Sequence, residues 1–420
     1  MLVQPSGRLT EPGPPPVTTN SDVLDGERPS PLAPDIGIVG LVPNEWSAYW
    51  QPRHQVMRRL ARYFNVAWLN PAPEWRRSLR RRRPTSHDTE GPGWTVIDPP
   101  WYLPKLYRPR ALAELIERGR LGRARRVLAD RGARRLVLYL WRPQFAHHLD
   151  RPHDASIYHL DDEYFDADRD AVDPAEEALL RRVDQVIIHS PGLLERKGHY
   201  NPHTATVPNG VDFATFARPR PIPADLAAVP VPRIGYIGWI KPVLDWALLD
   251  RLAAQLPACA FVFVGPIKHP ETLEVDPAFR ALRARRNVHF LGPKSLADLG
   301  AYPQHFDVGM MPYRVTAYTD NIYPLKLHEY FAAGCPAIGT PIRALREHAE
   351  LMSIADAADG WRAAIEQVLA APRDLGRTER QTVARDHDWN ILVARIAKLI
   401  GERLDHPVAR SIDPQAERPG

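Results

Sequence analysis

Short apolar runs alternate with longer amphipathic stretches along most of this chain. The runs are continuous and rich in branched residues, as in Ile36–Gly40 and Leu136–Leu140, which is typical of parallel strands buried on both faces. The stretches between them repeat apolar residues every three or four positions, as in Arg53–Tyr63, and this period predicts helices. The alternation therefore predicts an α/β fold with helices on both faces of parallel sheets.

The same pattern sets the other predicted elements. Further strands are expected at 66–69, 157–159, 186–189, 234–237, 261–264, 288–291, 308–311 and 337–338. Further helices are expected at 111–129, 174–183 and 244–256, with a last long helix over 378–404.

A proline-rich joint over residues 218–232 divides the pattern into two blocks. Two doubly wound domains that face a cleft are the architecture this division predicts. The predicted divisions are a disordered proline-rich tail over 1–34, a first domain over 35–217, the linker 218–232, a second domain over 233–377, the helix 378–404 packing back on the first domain, and a disordered tail over 405–420.

The composition is that of a soluble globular protein, with 44% hydrophobic and 25% charged residues. Only two cysteines occur, Cys259 and Cys335, which excludes a disulfide scaffold and fits a reducing compartment such as the cytoplasm. No apolar run approaches the roughly 18–20 residues that a transmembrane helix needs. The first residues also lack the apolar core of a secretory signal, so neither membrane spanning nor secretion is expected.

The net charge of +5 hides an asymmetry. Between Asp35 and Asp150 there are 22 basic and 10 acidic residues. This excess predicts a polyanionic partner, either an anionic membrane surface, a lipid phosphate or nucleic acid. The alternative is an arginine-rich composition without function, since the chain contains 48 arginines and 7 lysines.

The segment 310–340 carries the strongest candidate chemistry. A strand ends at Met311, a polar loop follows, and Pro324 begins a predicted helix, since proline suits the first turn. The amides of that first turn could bind a phosphate, and Lys326 would add a full positive charge. Glu329, one turn later, could accept hydrogen bonds from sugar hydroxyls. The alternative is an exposed helix with an intrahelical Lys–Glu pair.

This segment resembles the nucleotide-sugar-binding helix of GT-B glycosyltransferases, which have two Rossmann-like domains. The matching residues are Pro324-Leu325-Lys326, Glu329 and Ala332-Ala333-Gly334-Cys335-Pro336-Ala337. Pro208-Asn209-Gly210-Val211-Asp212 and Ile234-Gly235-Tyr236-Ile237-Gly238 are similar to the end of the first domain and the glycine turn of the second. The resemblance extends from Ile36 to about Leu404 and implies transfer of a sugar from a nucleotide diphosphate donor.

The resemblance also implies roles for individual residues. Glu329 falls on the glutamate that binds the ribose hydroxyls, and Lys326 on a lysine that faces the diphosphate in membrane-associated members. The implied donor-binding residues are Gly238, Lys241, Tyr313, Asn321, Pro324, Leu325, Lys326 and Glu329. Asn321 stands where many retaining members carry a second glutamate, so the stereochemical outcome stays open.

Acidic residues after the predicted strand 157–159 are candidates for the general base of an inverting transfer. Asp161 and Asp162 both fit, and related enzymes carry a similar Asp-Asp there; the alternative is a helix N-cap. His54, at the start of a predicted helix, is an acceptor-side candidate, although a lone histidine is more often structural. The strings Asp166-Ala167-Asp168 and Asp168-Arg169-Asp170 match the metal-binding motif of single-domain transferases. That architecture lacks a second Rossmann-like block, so neither a metal nor a cofactor is expected here.

A basic run provides a candidate membrane contact. Its arginines are Arg76, Arg77, Arg80, Arg81, Arg82 and Arg83. Beside anionic lipid each would contribute about 1 kcal/mol, whereas the alternative is a solvated loop. No nucleic-acid-binding module accompanies the run, so nucleic acid is not expected as a partner.

These observations predict a cytoplasmic GT-B glycosyltransferase, peripheral at the inner face of the membrane, in cell-surface polysaccharide synthesis. The expected donor is a UDP-sugar more than a GDP-sugar, and the expected acceptor is a glycan or a polyprenyl-diphosphate-linked glycan. Two alternatives are a nucleotide-sugar epimerase on the same fold and a non-catalytic adaptor for membrane or nucleic acid.

Overall fold

The computed structural model describes residues 30–48, 50–72, 90–100, 102–105, 109–160, 165–166 and 171–419. Two parallel sheets, each with helices on both faces, account for most of these residues. The prediction of an α/β fold with two doubly wound domains is therefore confirmed.

The first sheet has the order β10-β9-β6-β5-β1-β2-β4-β3. All its pairs are parallel except β3 with β4. Its strands are β1 (Ala33–Leu41), β2 (Phe64–Leu69), β3 (Glu90–Gly91), β4 (Trp94–Ile97), β5 (Arg135–Leu140), β6 (Ala155–Leu160), β9 (Gln185–Ile188) and β10 (Thr204–Thr206). A separate antiparallel pair is formed by β7 (Phe165–Asp166) and β8 (Ala171–Val172).

The second sheet is parallel throughout, in the order β13-β12-β11-β14-β15-β16. Its strands are β11 (Arg233–Ile237), β12 (Ala260–Val264), β13 (Val288–Gly292), β14 (Val308–Met311), β15 (Ala337–Gly339) and β16 (Ser353–Ile354). The chain adds β12 and β13 on one side of β11, and then β14, β15 and β16 on its other side. The order of the strands thus reverses between β11 and β14, and the loops after these two strands open towards the same crevice.

The helices follow the strands along the chain. In the first domain they are α1 (Pro52–Leu60), α2 (Arg110–Asp130), α3 (Pro174–Arg182) and α4 (Pro191–Lys197), with 3₁₀ helices at Pro143–Asp150 and Gly198–Tyr200. The joint and second domain hold α5 (Phe213–Ala217), α6 (Ala224–Ala227), α7 (Trp246–Gln255), α8 (Pro270–Leu273), α9 (Pro277–Arg283), α10 (Leu296–Leu299), α11 (Leu325–Ala332), α12 (Arg343–Arg346) and α13 (Ala358–Ala370), with 3₁₀ helices at Pro303–His305 and Thr319–Asn321. The chain ends with α14 (Arg377–Asp386), α15 (Trp389–Arg403), α16 (Val408–Ser411) and a 3₁₀ helix at Pro414–Glu417.

Continuous apolar strands explain why both faces of each sheet are covered. In β5 the residues from Leu136 onward are all buried, and alternate side chains enter different cores. Leu138 packs with Leu121 and Leu128 of α2, whereas Val137 packs in the core on the opposite face. Each sheet therefore sits inside the protein and exposes only its edges and strand ends.

The predicted single helix over 378–404 is in fact two helices. The apolar period runs through the whole segment, but the chain breaks at Asp388, whose side chain caps α15 by accepting a hydrogen bond from Asn390 N at 2.7 Å. The second carboxylate oxygen of Asp388 accepts from Phe213 N at 2.9 Å. A cap held by a distant segment cannot be recognised from local sequence.

The two halves of this segment pack on different domains. Ala384 of α14 lies in the core of the second domain. Leu392, Ile396 and Ile400 of α15 lie in the core of the first domain. The expectation of packing on the first domain therefore applies to α15 and not to α14.

The expectation of a disordered tail over 405–420 does not match the structure as far as residue 419. Helix α16 follows directly, and its Val408 is buried in the first-domain core together with Ile412. Tyr63 donates a hydrogen bond to Glu417 at 3.0 Å. Among the described residues of this segment the buried apolar side chains are Val408, Ala409 and Ile412, too few to create a recognisable period.

Several predictions fall outside the described residues. These are the tail as far as residue 29, the arginine run 76–83, and the acidic candidates Asp161 and Asp162. The motif residues Asp168 and Asp170 also lie outside. Within the described part of the chain, no helix combines the length and apolar character that crossing a bilayer requires.

Candidate active site

Lys326 lies near the start of α11, in the crevice beyond the carboxyl ends of β11 and β14. Its Nζ donates a hydrogen bond to the Tyr313 hydroxyl at 3.1 Å and lies 4.8 Å from the centre of the Tyr236 ring. Aromatic faces attract a cation, and both rings are held by the sheet. The ammonium group is therefore fixed in position while it stays partly accessible.

A glycine turn lies against this ammonium group. Gly238 follows β11 with φ +100°, and a Cβ placed there would lie 3.5 Å from Lys326 Nζ. Gly265, after β12, has φ +151°, and a Cβ there would lie 2.1 Å from the Gly238 carbonyl oxygen. The two strand ends can approach each other only because Gly265 has no side chain, and the positive φ of Gly238 is one that other residues rarely adopt.

Glu329 lies one turn after Lys326 on α11, and its side chain is half-buried. Burial raises the pKa of this carboxyl from 4.5 to about 7, although Lys326 acts in the opposite direction. None of the described residues donates a hydrogen bond to it. A half-buried carboxyl without a protein donor is only partly solvated, and hydroxyl groups of a ligand could donate hydrogen bonds to it.

The start of α11 leaves backbone donors free. Pro324 occupies the N-cap position, and its side chain cannot accept a hydrogen bond from the first turn. Leu325 is half-buried and packs against the core of the first domain. The first turn of α11 therefore lies where the two domains meet, with its partial positive charge unneutralised by a cap.

Tyr330 anchors α11 to the sheet. Its hydroxyl accepts a hydrogen bond from Ile237 N at 3.2 Å and lies 3.2 and 3.3 Å from the carbonyl oxygens of Gly235 and Met310. Its ring covers Gly309, where a Cβ would lie 2.8 Å from the ring. Tyr330 was not among the predicted site residues, although a glycine inside a strand, such as Gly309, is a signal that a large group packs over it.

The loop between β14 and α11 joins the two domains. The Asn321 carbonyl oxygen accepts a hydrogen bond from Ser190 Oγ at 2.8 Å, and a Cβ on Gly192 would lie 2.1 Å from Asn321 Oδ1. Its amide nitrogen donates to Ala317 O at 2.8 Å. The Asn321 side chain therefore faces helix α4 of the first domain, and its role in donor binding stays a prediction.

Two more implied donor residues lie around this crevice. The Tyr313 backbone donates to Thr340 Oγ1 at 3.1 Å and pairs with Leu244 in an isolated antiparallel bridge. Lys241 lies half-buried in the loop after β11. The structure thus brings Gly238, Tyr313, Lys326 and Glu329 together, and it places Lys241 in the neighbouring loop.

His54 lies in the core of the first domain and not at the acceptor side of the cleft. Its side chain is 0% exposed, and Nδ1 accepts a hydrogen bond from Gln51 N at 3.1 Å, which caps α1. Burial, together with Arg53, lowers its pKa from 6.5 to about 3. His54 is therefore a neutral structural residue, packed between Trp46 and Trp68 at ring distances of 5.4 and 4.6 Å.

A different histidine occupies the strand end next to the acidic candidates. His159, at the end of β6, stacks on Trp141 with ring centres 4.3 Å apart and shares a hydrogen bond of 2.8 Å between Nδ1 and the Tyr139 hydroxyl. Burial and the neighbouring His189 hold its pKa well below the usual value. Asp161 and Asp162 follow directly in sequence, but their own positions lie outside the described residues.

Comparison with known proteins agrees with this geometry. Residues 232–371 match the family model Glycosyl transferases group 1. A teichuronic acid biosynthesis glycosyltransferase of Bacillus subtilis (strain 168), TuaH, is 31% identical over 250 residues, which cover 56% of this chain and 60% of TuaH. The alignment thus spans less than two thirds of that relative.

Solved structures share the fold over nearly the whole chain. Alr3699/HepE of Anabaena, in complex with UDP, has a TM-score of 0.64 at 14% identity and covers 88% of this chain and 100% of its own. The UDP-forming alpha,alpha-trehalose-phosphate synthase of Burkholderia vietnamiensis has a TM-score of 0.57 at 15% identity, covering 89% of this chain and 97% of its own. Identities this low establish the shared GT-B fold and nothing further.

Proposed function

With a group 1 glycosyltransferase domain at residues 232–371 on a GT-B fold, we propose that this chain transfers a sugar from a nucleoside diphosphate donor to a glycan acceptor. One observation carries the proposal. Lys326 and Glu329 lie on the same end of α11, beside the Gly238 turn, in the crevice between the two domains.

The donor diphosphate would lie between the Gly238 turn and the first turn of α11. Lys326 and the free amides of that turn would bind its oxygens, and the absence of a side chain at Gly238 allows the close approach. When the bond between the sugar and the diphosphate breaks, negative charge develops on the leaving phosphate. Groups already in position stabilise that charge more in the transition state than in the ground state, so this route requires no metal.

The ribose of the donor would bind to Glu329. The carboxyl has no donor among the described residues and a pKa of about 7, so two neighbouring hydroxyl groups would both satisfy it and favour its ionised form. This arrangement selects a nucleotide over a free diphosphate. Support for UDP comes from the HepE structure, which contains UDP on the same fold.

The acceptor would bind to the first domain, at the carboxyl ends of β5 and β6. Asp161 or Asp162, directly after β6, is proposed as the base that takes the acceptor proton. A cell-surface polysaccharide, built on a lipid-linked acceptor at the inner face of the membrane, fits the role for which TuaH is named and the arginine run at 76–83.

Isothermal titration calorimetry with UDP tests the donor site. Lys326→Ala and Glu329→Gln should each weaken UDP binding at least tenfold, or by about 1.4 kcal/mol. Lys398→Ala and Glu366→Gln, which change exposed residues on helices α15 and α13, serve as matched controls and should leave it unchanged. Unaltered UDP affinity in both site variants would show that the donor site is elsewhere.

A second assay separates transfer from the alternative activities. Incubation of the full chain with a UDP-sugar and no acceptor should give little turnover, and added glycan acceptor should accelerate release of UDP. Conversion of the donor to an epimer without acceptor would identify an epimerase. Binding of UDP with no turnover under any acceptor condition would favour an adaptor.

A further inference from the structure

A group of metal-ligating side chains lies in the first domain, away from the proposed donor site. Glu117 of α2 and His147 and His148 of the 3₁₀ helix Pro143–Asp150 place one ligand atom each within 4.8 Å of one another. No sequence motif joins them, since 30 positions separate the glutamate from the histidine pair. They meet because the 3₁₀ helix follows β5 directly and folds back onto the first half of α2.

His148 is the central residue of this group and lacks ordinary hydrogen bonds. Its ring is buried, and Nδ1 has no hydrogen-bond partner among the described residues. Its Nε2 lies 3.7 Å from Glu117 Oε2, which is too far for a hydrogen bond. Two ligands of a tetrahedral zinc ion, each about 2.0–2.1 Å from the metal, stand about 3.3 Å apart. The 3.7 Å between His148 Nε2 and Glu117 Oε2 is therefore closer to the distance between two ligands of one ion than to the length of a hydrogen bond.

The other two side chains are oriented by neighbours that leave a ligand atom free. Arg120 donates a hydrogen bond to Glu117 Oε1 at 2.8 Å, so Oε2 points towards His148. His147 Nδ1 pairs with the Gln144 carbonyl oxygen at 2.9 Å, which leaves Nε2 available. Such outer contacts fix the orientation and tautomer of ligands in metal sites.

We propose that Glu117, His147 and His148 bind a divalent transition-metal ion, with zinc as the best fit. Two imidazoles and one carboxylate suit zinc and its neighbours in the first transition row, whereas magnesium and calcium prefer oxygen ligands. The buried His148 ring, whose Nδ1 has no hydrogen-bond partner among the described residues, gives the site its one ligand fully shielded from water.

The ion would join α2 to the segment after β5. Arg120, which orients Glu117, also donates to the Asn70 carbonyl oxygen at 2.8 Å, and Asn70 follows β2. The site would therefore stabilise the strand ends where the acceptor is proposed to bind, without contacting the donor.

Calorimetry with zinc chloride on the full chain, after removal of metal with a chelator, tests this site. The wild type should bind one zinc ion, and zinc should raise its melting temperature. His147→Ala, which changes an exposed side chain, should weaken zinc binding at least tenfold. Glu117→Gln, which keeps the oxygen that accepts from Arg120, should do the same.

His199→Ala, at another exposed histidine of the first domain, is the matched control and should bind zinc as the wild type does. Both site variants should melt close to the metal-free wild type, which shows that they fold. If Glu117→Gln does not fold, His147→Ala decides alone. No zinc binding by the wild type, or equal binding by His147→Ala, would overturn the proposal, as would magnesium competing at the same concentration.

Discussion

At the scale of single residues, Gly238 and Gly132 offer a matched pair that separates backbone strain from loss of the donor pocket. Both have positive φ angles, +100° and +94°, but only Gly238 has a neighbour within 4 Å of a built Cβ. Alanine at either position should cost about 1–2 kcal/mol of stability. Only Gly238→Ala, whose methyl group would lie against Lys326, should also weaken UDP binding, by about tenfold or about 1.4 kcal/mol.

Chemical denaturation and calorimetry measure the two effects. Equal loss of UDP affinity in the two variants would mean that the Gly238 turn does not approach the diphosphate. Wild-type affinity in Gly238→Ala would lead to the same conclusion.

The raised pKa of Glu329 predicts a pH dependence of stability. The carboxyl has a pKa of 4.5 when unfolded and about 7 when folded, so between these values the folded protein holds a proton that the unfolded chain releases. The wild type therefore loses stability from this group as pH rises through that window. Glu329→Gln should remove the loss and be more stable than the wild type above pH 7, by about 1–2 kcal/mol after allowance for partial exposure.

Urea denaturation at pH 5 and pH 8 would measure this difference. The gain should be small at pH 5 and full at pH 8, and Glu366→Gln on exposed helix α13 should show neither. A constant difference between Glu329→Gln and the wild type at both pH values would contradict the burial of the carboxyl.

The placement of site residues could be predicted from sequence where a local motif encodes it. Lys326, Glu329 and Gly238 were named through the resemblance to GT-B enzymes, and the structure brings them together because one helix and one turn carry them; their roles stay predictions. His54 lies in the core and not at the cleft, because its contacts with Gln51 and two tryptophans depend on the backbone path. The contact of Asn321 with Gly192 could not be predicted either, because it joins two domains. His159 was not named as a candidate because its environment depends on stacking against Trp141, which is distant in the sequence.

At the scale of elements, Asp388 stabilises the break between α14 and α15 in two ways, as a helix cap and through a hydrogen bond to a distant segment. Asp388 caps α15 and also binds Phe213 N on another segment, whereas Asp245 caps α7 through Leu248 N at 2.9 Å. Asp388→Ala should therefore cost about 2–3 kcal/mol, which adds a buried hydrogen bond to a cap. Asp245→Ala should cost about 1 kcal/mol.

Urea denaturation of the two variants tests this comparison. The same loss for both would show that the bond between Asp388 and Phe213 adds nothing to the cap. Since the bond joins the start of α15 to the start of α5, a larger loss for Asp388→Ala would show that this contact between distant segments stabilises the fold.

Long buried strands were easier to predict from the sequence than short strands. Long apolar runs such as β5 and β12 are evident in the sequence because they are buried on both faces. The edge strand β16 has two residues and was missed because a short edge strand needs no apolar run. Strand β4 (Trp94–Ile97) is internal and buried, and it was missed because it is only four residues long.

At the scale of the whole molecule, the charge asymmetry predicts binding to anionic membranes. Arg81→Gln with Arg82→Gln should weaken binding to phosphatidylserine vesicles about tenfold or more, since each arginine contributes about 1 kcal/mol. Arg123→Gln with Arg126→Gln, exposed on α2, removes the same charge elsewhere and should have a smaller effect. Cosedimentation at low and high salt measures both, and equal losses would show that only net charge matters.

The packing of α15 has a consequence for the order of synthesis. Helix α1 covers only part of one face of the first sheet, and Trp389, Leu392 and Ile396 of α15 cover the rest. During synthesis this core is therefore completed only after the second domain has been made. We expect chains truncated before α15 to expose apolar surface of the first domain and to aggregate.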